Sequence, residues 1–118
     1  MIPKFRAYNP ATNDWYKPEE VFVSDGNIYL DDDNFDELTQ NNDVILMQST
    51  GLFDVNGKEI FEGDVVRMHS GELLPVRLHH GMFGPVCYYA SSVFEKVGNI
   101  FENPELTEHP DFREATNN

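Results

Sequence analysis

A chain of 118 residues, 40% of them hydrophobic and 13% aromatic, is long enough to build one folded domain with its own core. Its formal net charge of −13, from 21 acidic against 8 basic residues, argues against a surface that grips nucleic acid. Such a surface needs clustered lysines and arginines, and the chain has no basic cluster. We therefore expect a single domain over residues 1–118 with no direct nucleic-acid binding.

The compartment is predicted from the first residues and from cysteine usage. The N-terminus lacks the apolar core of a secretory signal, and no stretch approaches the roughly 20 apolar residues of a membrane span. Cys87 is the single cysteine, so the chain cannot form an internal disulfide. These features predict a cytoplasmic protein with no membrane association.

The chain opens with a predicted hairpin. Residues 4–8 alternate polar and apolar side chains, as a half-buried strand does. The turn-forming residues 9–14 then return the chain, so that Trp15 and Tyr16 pair back across the hairpin. Trp15 is expected in the core.

A second hairpin is predicted around Asp25-Gly26. This pair tolerates positive φ at both turn positions. Residues 21–24 and 27–30 on either side are rich in β-branched and aromatic side chains. The pattern is typical of two short antiparallel strands joined by a two-residue turn.

Residues 31–43 form an acidic segment with six acids and no base. Acids complement the positive end of a helix, so one interpretation is a short helix capped by Asp33 or Asn34 and running to about Gln40. The other interpretation is a mobile loop. The sequence leaves both open.

The middle of the chain predicts a buried strand followed by a tight turn. Residues 44–49 are the most apolar run and favour a central strand. Asn56-Gly57 is the favoured pair for a type I′ turn, and Gly63 permits a second sharp bend before residues 64–68. Three strands are therefore expected in close succession.

The remainder predicts further short strands over residues 76–79, 86–89 and 93–97, then one helical turn at residues 104–106. Short strands with glycine at the corners favour a mainly β fold, with a strongly bent antiparallel sheet and one or two short helical turns. The expected layout is N-terminal hairpins and the acidic segment in residues 1–43, an SH3-like small barrel in 44–106, and a loosely ordered tail in 107–118.

Three segments resemble the YopX family of small phage and prophage proteins. They are Lys4-Phe-Arg-Ala-Tyr8, residues 47–66 (Met-Gln-Ser-Thr-Gly-Leu-Phe-Asp-Val-Asn-Gly-Lys-Glu-Ile-Phe-Glu-Gly-Asp-Val-Val) and residues 97–106 (Val-Gly-Asn-Ile-Phe-Glu-Asn-Pro-Glu-Leu). The resemblance implies a mostly β fold with an SH3-like barrel in the second half, and an origin in a bacteriophage or prophage, hence a bacterial host cell. It implies no reaction, and it brings no catalytic, cofactor or metal residues.

Thiol chemistry is the first candidate to weigh. Cys87 with His79 and His80 has the residue types of a nucleophile and its base, since a nearby imidazole stabilises a thiolate. Cys87 also lies in a predicted strand, where a buried structural thiol is the commoner outcome. We expect no catalytic residues here.

Metal binding is the second candidate. The four histidines, His69, His79, His80 and His109, show no zinc-finger spacing, and adjacent strand residues point to opposite faces. Asp31, Asp33, Asp36 and Glu37 invite a calcium hypothesis, but an EF-hand loop counted from Asp31 has Phe35 and Asp36 where an oxygen ligand and a glycine belong. We expect no metal and no cofactor.

Carboxylates crowd the turn at Glu59, Glu62 and Asp64, and paired carboxylates can act as general acid and base. Sharp exposed corners prefer the same residues. Gly81 and Gly84 match no phosphate-binding pattern. We expect turn chemistry rather than catalysis, and no small-molecule substrate.

The aromatic residues of the second half are more than a small barrel needs, and surplus aromatics mark protein interfaces. These residues are Phe53, Phe61, Tyr88, Tyr89, Phe94 and Phe101. Our first hypothesis is therefore a non-enzymatic protein-interaction or self-associating module. The alternatives are a DNA mimic that inhibits a host nucleic-acid-binding protein, suggested by the charge, and a metal-dependent hydrolase or nuclease accessory.

Overall fold

The structure, a computed structural model, describes residues 4–31, 37–79, 82–84 and 94–113. Among these described residues, strands make up 54% and helical turns 9%, and the strands form antiparallel sheets. The predicted fold class, mainly β with a strongly bent antiparallel sheet and one or two short helical turns, is confirmed. The chain divides into two compact units, Met1–Gln48 (unit 1) and Ser49–Asn118 (unit 2). The single domain and its internal boundaries stay predictions.

The described residues of unit 1 form the strands β1 (Phe5–Asn9), β2 (Asp14–Tyr16), β3 (Val21–Ser24), β4 (Asn27–Leu30) and β5 (Thr39–Gln40), the first part of β6 (Ile45–Phe53), and the 3-10 turn Pro18–Glu20. Strand β1 pairs antiparallel with β2 and with the first half of β6, while β4 lies between β3 and β5. The core of this unit is formed by Ala7, Ile28, Leu30 and Val44, with Tyr16, Val21 and Leu46 packed against them.

The two predicted hairpins of unit 1 are confirmed. Trp15 pairs with Tyr8 across the first one, with ring centroids 4.7 Å apart, and the Arg6 guanidinium lies 5.0 Å from the Trp15 ring. In the second, Asp25 and Gly26 both have positive φ, 52° and 79°, as a two-residue turn of this hand requires. The expectation of Trp15 in the core is wrong: its side chain is half-buried, because β2 is an edge strand of its sheet.

The helix predicted to run to Gln40 is wrong at its C-terminal end. Thr39 and Gln40 form β5, in register with Leu30 and Tyr29 of β4. Pairing with an existing strand satisfies the backbone groups that a single helical turn would leave open. The start of the predicted helix, including Asp33 and Asn34, lies outside the described residues.

The described residues of unit 2 form the second half of β6 and the strands β7 (Glu59–Phe61), β8 (Asp64–Met68), β9 (Leu73–Pro75), β10 (Arg77–His79), β11 (Met82–Gly84) and β12 (Phe94–Asn99). Strand β8 lies between β12 and β9, β10 pairs with β11, and β7 pairs with β6. The 3-10 turn Pro104–Glu108 confirms the helical turn predicted at residue 104. Its core comprises Ile60, Val66, Met68, Val76 and Phe94, with Leu74 and Phe83 packed against them. The strand predicted over residues 86–89 lies outside the described residues.

Segments of the chain itself cover both edges of the β12-β8-β9 sheet. On the β12 side, the Val55 N–H donates to the Phe94 carbonyl at 3.1 Å. On the β9 side, the Leu73 N–H donates to the Asp111 carbonyl at 2.8 Å and the Arg113 N–H donates to the Leu73 carbonyl at 2.9 Å. Covered edges have no free ladder for another chain to join. The described part of the predicted tail, residues 107–113, thus includes residues held by backbone hydrogen bonds.

The turn between β6 and β7 differs from the predicted type I′ turn. Gly57 has a positive φ of 78°, whereas Asn56 does not share it. The Gly57 N–H donates to the Asp54 carbonyl at 2.9 Å, and the Asp54 N–H donates to the Lys58 carbonyl at 2.9 Å. The Asp54 side chain also accepts hydrogen bonds inside the turn, and these select the longer turn.

Candidate functional site

Strand β3 is an edge strand whose outer side pairs with no other strand among the described residues. It is the outer strand of the β3-β4-β5 sheet, and Ser24 pairs with Asn27 next to the two-residue turn. In an antiparallel hairpin, the backbone groups of alternate residues point to the partner strand. Those of Ser24 and Phe22 therefore point to β4, and those of Val23 point away from it. Over the described part of the chain, no hydrogen bond to the Val23 backbone is seen on that outer side.

The side chains of this edge expose apolar surface on both faces of the strand. Phe22 and Val23 are each 45% exposed, and neighbouring strand residues point to opposite faces. Val21, which precedes them, packs instead against the core of unit 1. Phe22 and Val23 therefore form an exposed apolar pair on the edge strand, and the residue before them, Val21, is held by the core.

The sequence that contains this edge is strongly acidic. Residues 18–57 contain ten acids and no lysine, arginine or histidine. Glu20 and Asp25 directly flank β3, and the Glu20 carboxylate accepts the Lys17 backbone N–H at 2.8 Å. A stretch of this length without any base sets up a negative potential that attracts cations and basic segments.

The carboxylates predicted from the β7–β8 turn serve the fold. Asp64 is fully buried, accepts the Phe61 backbone N–H at 2.8 Å and lies 3.4 Å from the Lys96 ammonium. The Ser49 hydroxyl donates to Glu59, and Glu62 is half-buried. Asp64 and Glu59 are thus engaged in local hydrogen bonds, but the expected exposed corner is wrong for Asp64, which is buried.

Some of the residues weighed above for thiol and metal chemistry lie within the described part of the chain, and others do not. His69 is exposed, His79 lies in β10, and the His109 ring nitrogen accepts the Asp111 N–H at 3.0 Å. In the calcium set, Asp31 is half-buried and Glu37 is exposed. The other candidates, Cys87, His80, Gly81, Asp33 and Asp36, lie outside the described residues. Within the described ranges, no group of three or more His, Cys, Asp or Glu side chains could hold a metal ion.

The predicted aromatic surplus separates into core and surface. Phe61 and Phe94 are buried, Phe101 is half-buried, and Phe53 is 49% exposed. Tyr88 and Tyr89 lie outside the described residues. Phe22 is the exposed aromatic that sequence reasoning missed, because its hairpin was recognised but its place at the sheet edge was not.

A second feature missed from the sequence is the role of Asp54, which is 3% exposed. Its Oδ1 accepts the backbone N–H groups of Asn56 and Lys58, and its Oδ2 accepts that of Lys96 at 2.8 Å. Burial alone would raise the pKa of Asp54, but these three donors and the charge of Lys58 outweigh it and hold the pKa below its usual value. An aspartate two residues before Asn-Gly is the signal that reveals such a turn.

The segment after β12 is organised by two asparagines. Asn99 Oδ1 accepts the N–H groups of Phe101 and Glu102 at 2.9 and 2.7 Å, and Asn103 Oδ1 accepts the Asn99 N–H at 3.1 Å. Gly98 leaves room for Asn103, since a Cβ there would lie 2.8 Å from Asn103 Cγ. The motif over residues 97–106 is therefore a folding motif.

No helix among the described residues has the length and apolar character needed to cross a membrane.

No curated protein matches the chain. Two solved structures are similar over 90% of this chain and 98% of their own. Protein EF1440 from Enterococcus faecalis is 26% identical with a TM-score of 0.61. Protein yopX from Bacillus subtilis, at 17% identity and a TM-score of 0.63, shows the fold alone.

The family model described as "YopX protein" matches residues 4–108, which span the whole of the described chain except its last five residues. The match includes all three segments whose resemblance was noted from the sequence. The chain belongs to the YopX family.

Proposed function

We propose that this protein is a non-enzymatic interaction module, encoded by a phage or prophage, that binds a basic protein partner in the cytoplasm of the bacterial host. The observation that carries the proposal is the β3 edge, where Phe22 and Val23 are each 45% exposed within a stretch of ten acids and no base. Exposed apolar side chains supply contact area, and the surrounding charge steers a partner of opposite sign.

The alternatives have less support from the structure. A DNA mimic needs its carboxylates free and arrayed like phosphates, but Asp54 and Asp64 are buried and Glu59 is hydrogen-bonded within the fold. A metal-dependent hydrolase or nuclease accessory needs convergent ligands. Of the acids near the β7–β8 turn, Asp64 and Glu59 are engaged in hydrogen bonds within the fold, which weakens this alternative.

The proposal is tested by placing a photo-crosslinking amino acid at Phe22 and, separately, at Phe53. The two phenylalanines are exposed to a similar degree, 45% and 49%, but lie in units 1 and 2 respectively. Each variant is produced in host cells, irradiated, and its adducts are identified by mass spectrometry.

We expect the position-22 variant to give an adduct with a protein of basic isoelectric point, and the position-53 variant to give none. The purified partner should then bind the unmodified protein more weakly as salt is raised, because ions screen exposed charges. The proposal is wrong if neither position gives an adduct, or if the partner is acidic and its binding does not respond to salt.

A further inference from the structure

The proposed function leaves open how the partner is held. We infer that the partner adds an extended segment, apolar at its centre and with lysine or arginine at its ends, as a new strand on the outer edge of β3. This inference rests on the proposed function and specifies its binding mode.

The backbone of β3 supplies the hydrogen-bonding groups. The Val23 N–H and C=O both point away from β4, as follows from the pairing of Ser24 with Asn27 beside the turn. The Val21 C=O points the same way, while its N–H is already donated to the Pro18 carbonyl. An added strand therefore finds a donor and two acceptors, which is the arrangement used in strand addition.

The side chains of β3 select the sequence of that strand. Phe22 and Val23 lie on opposite faces, so apolar residues of the partner have an apolar neighbour on either face. Glu20 and Asp25 stand at the two ends of β3, where lysine or arginine side chains of the partner would meet carboxylates. The recognised chemistry is an extended, basic and apolar segment.

Charge also decides against a second copy of this chain as the occupant. Two β3 strands paired antiparallel about Phe22, the register in which Val21 of each copy lies opposite Val23 of the other, would bring Glu19 of each copy to the level of Asp25 of the other. Like charges directly opposite each other across two strands are destabilising. The contact is therefore expected to be with a different chain.

The contrast with unit 2 supports an edge left open for binding. Both edges of the β12-β8-β9 sheet are closed by hydrogen bonds from Val55, Leu73 and Arg113. Natural proteins close or charge the edges of their sheets to prevent unwanted pairing. At β3 the flanking acids Glu20 and Asp25 would repel an acidic strand and would attract a basic one.

The test uses a synthetic nine-residue peptide with valines at its centre and lysines at both ends, with a peptide of the same length that carries glutamate in place of each lysine as the acidic counterpart. Binding to the full chain, labelled with ¹⁵N, is followed by amide chemical shifts and by hydrogen exchange at Val23. We expect the lysine peptide to bind, to shift the β3 amides and to protect the Val23 N–H. The glutamate peptide should produce no shifts.

Two variants of Val23 separate backbone pairing from simple charge attraction. Val23→Pro removes the outward N–H and is expected to weaken binding about tenfold, which corresponds to the loss of one hydrogen bond. Val23→Thr keeps the N–H, the β-branch and the net charge, and should bind within about twofold of the unmodified chain. Dispersed amide spectra would show that both variants are folded.

A variant outside the strand keeps the test independent of any damage caused by proline. Asp25→Asn keeps a residue that tolerates positive φ at this turn position and should weaken lysine-peptide binding about threefold, with a smaller salt dependence.

Three results would each overturn the inference: equal affinity of Val23→Pro and Val23→Thr for the lysine peptide, equal binding of the two peptides, or amide shifts confined to strands other than β3. If position 22 still crosslinks to a basic protein in cells, the proposed function survives that failure, whereas absence of both signals removes both proposals.

Discussion

Asp54 and Lys96 are 42 residues apart in the sequence, and the Asp54 carboxylate accepts the Lys96 backbone N–H at 2.8 Å. The other oxygen of the same carboxylate accepts the N–H groups of Asn56 and Lys58. One buried side chain therefore shapes the β6–β7 turn and fastens it to β12. In doing so it helps to close the edge of the β12-β8-β9 sheet.

Replacing Asp54 with Asn should destabilise unit 2 in a way that depends on pH. An amide has one acceptor oxygen, so its NH₂ group would face the Lys96 N–H, and we expect a loss of about 2 kcal/mol in the free energy of unfolding near neutral pH. Because the folded-state pKa of Asp54 lies below its usual 3.8, the carboxylate stabilises the fold fully above that value. Its contribution is lost as the pH falls through the folded-state pKa.

The measurement is the thermal unfolding midpoint of both chains from pH 7 down to pH 2. The difference between the unmodified chain and Asp54→Asn should be constant above about pH 5 and shrink below the usual pKa of the carboxyl. Glu95→Gln is the matched control, since Glu95 is exposed on β12 and accepts a hydrogen bond from the Asn56 side chain at 3.2 Å. A pH-independent difference for Asp54→Asn, or an equal effect of Glu95→Gln, would contradict the assignment.

The two predicted glycine turns show what local sequence determines. Asp25-Gly26 forms the predicted turn because its conformation depends only on the φ preferences of the pair. Asn56-Gly57 has an equally favourable sequence but adopts a different turn, because the Asp54 carboxylate binds the turn and Lys96 at once. A contact made 42 residues away cannot be read from the turn.

The candidate site was less predictable than the fold for a related reason. The strand containing Phe22 was predicted from its β-rich composition and flanking turn. Its exposure depends on which strand lies at the sheet edge, and strand order is a tertiary property that short-range patterns do not encode. The charge of the surrounding stretch, by contrast, was visible in the sequence from the start.

Gly98→Ala should disrupt the folding motif after β12. A Cβ at this position would lie 2.8 Å from Asn103 Cγ and 2.9 Å from Leu106 Cδ1, closer than real Cβ contacts. Asn103 would be displaced, and its hydrogen bond from the Asn99 N–H would be lost. We expect a loss of about 1–3 kcal/mol in the free energy of unfolding, as for other overpacked sites.

The control for this variant is Gly84→Ala, because a Cβ at Gly84 meets nothing within 4 Å. Urea unfolding gives the free energies, and amide spectra report whether Asn99 and Asn103 shift. If Gly98→Ala were as stable as Gly84→Ala, the close approach of Asn103 would not be the reason for glycine at this position.

Asp64 provides the test of whether the β7–β8 carboxylates serve the fold. It is fully buried, accepts the Phe61 N–H, and lies 3.4 Å from the Lys96 ammonium, whose side chain is 24% exposed. Asp64→Asn should cost about 2–3 kcal/mol, because it leaves a largely buried ammonium without its charge partner. Glu62→Gln, a change of the same type at the half-buried neighbour, should cost less than about 0.5 kcal/mol.

A double-mutant cycle with Lys96→Met isolates the ion pair from the hydrogen bond to Phe61. Removing both charges avoids an unpaired buried charge. The double variant should therefore lose about 1 kcal/mol less unfolding free energy than the sum of the losses of the two single variants. Hydrogen exchange at the Phe61 amide should quicken in Asp64→Asn even when Lys96 is already methionine, since that contact is independent of the ammonium. If Asp64→Asn left both the unfolding free energy and the Phe61 exchange rate unchanged, Asp64 would not be a structural residue, and the hypothesis of catalytic carboxylates at this turn would regain support.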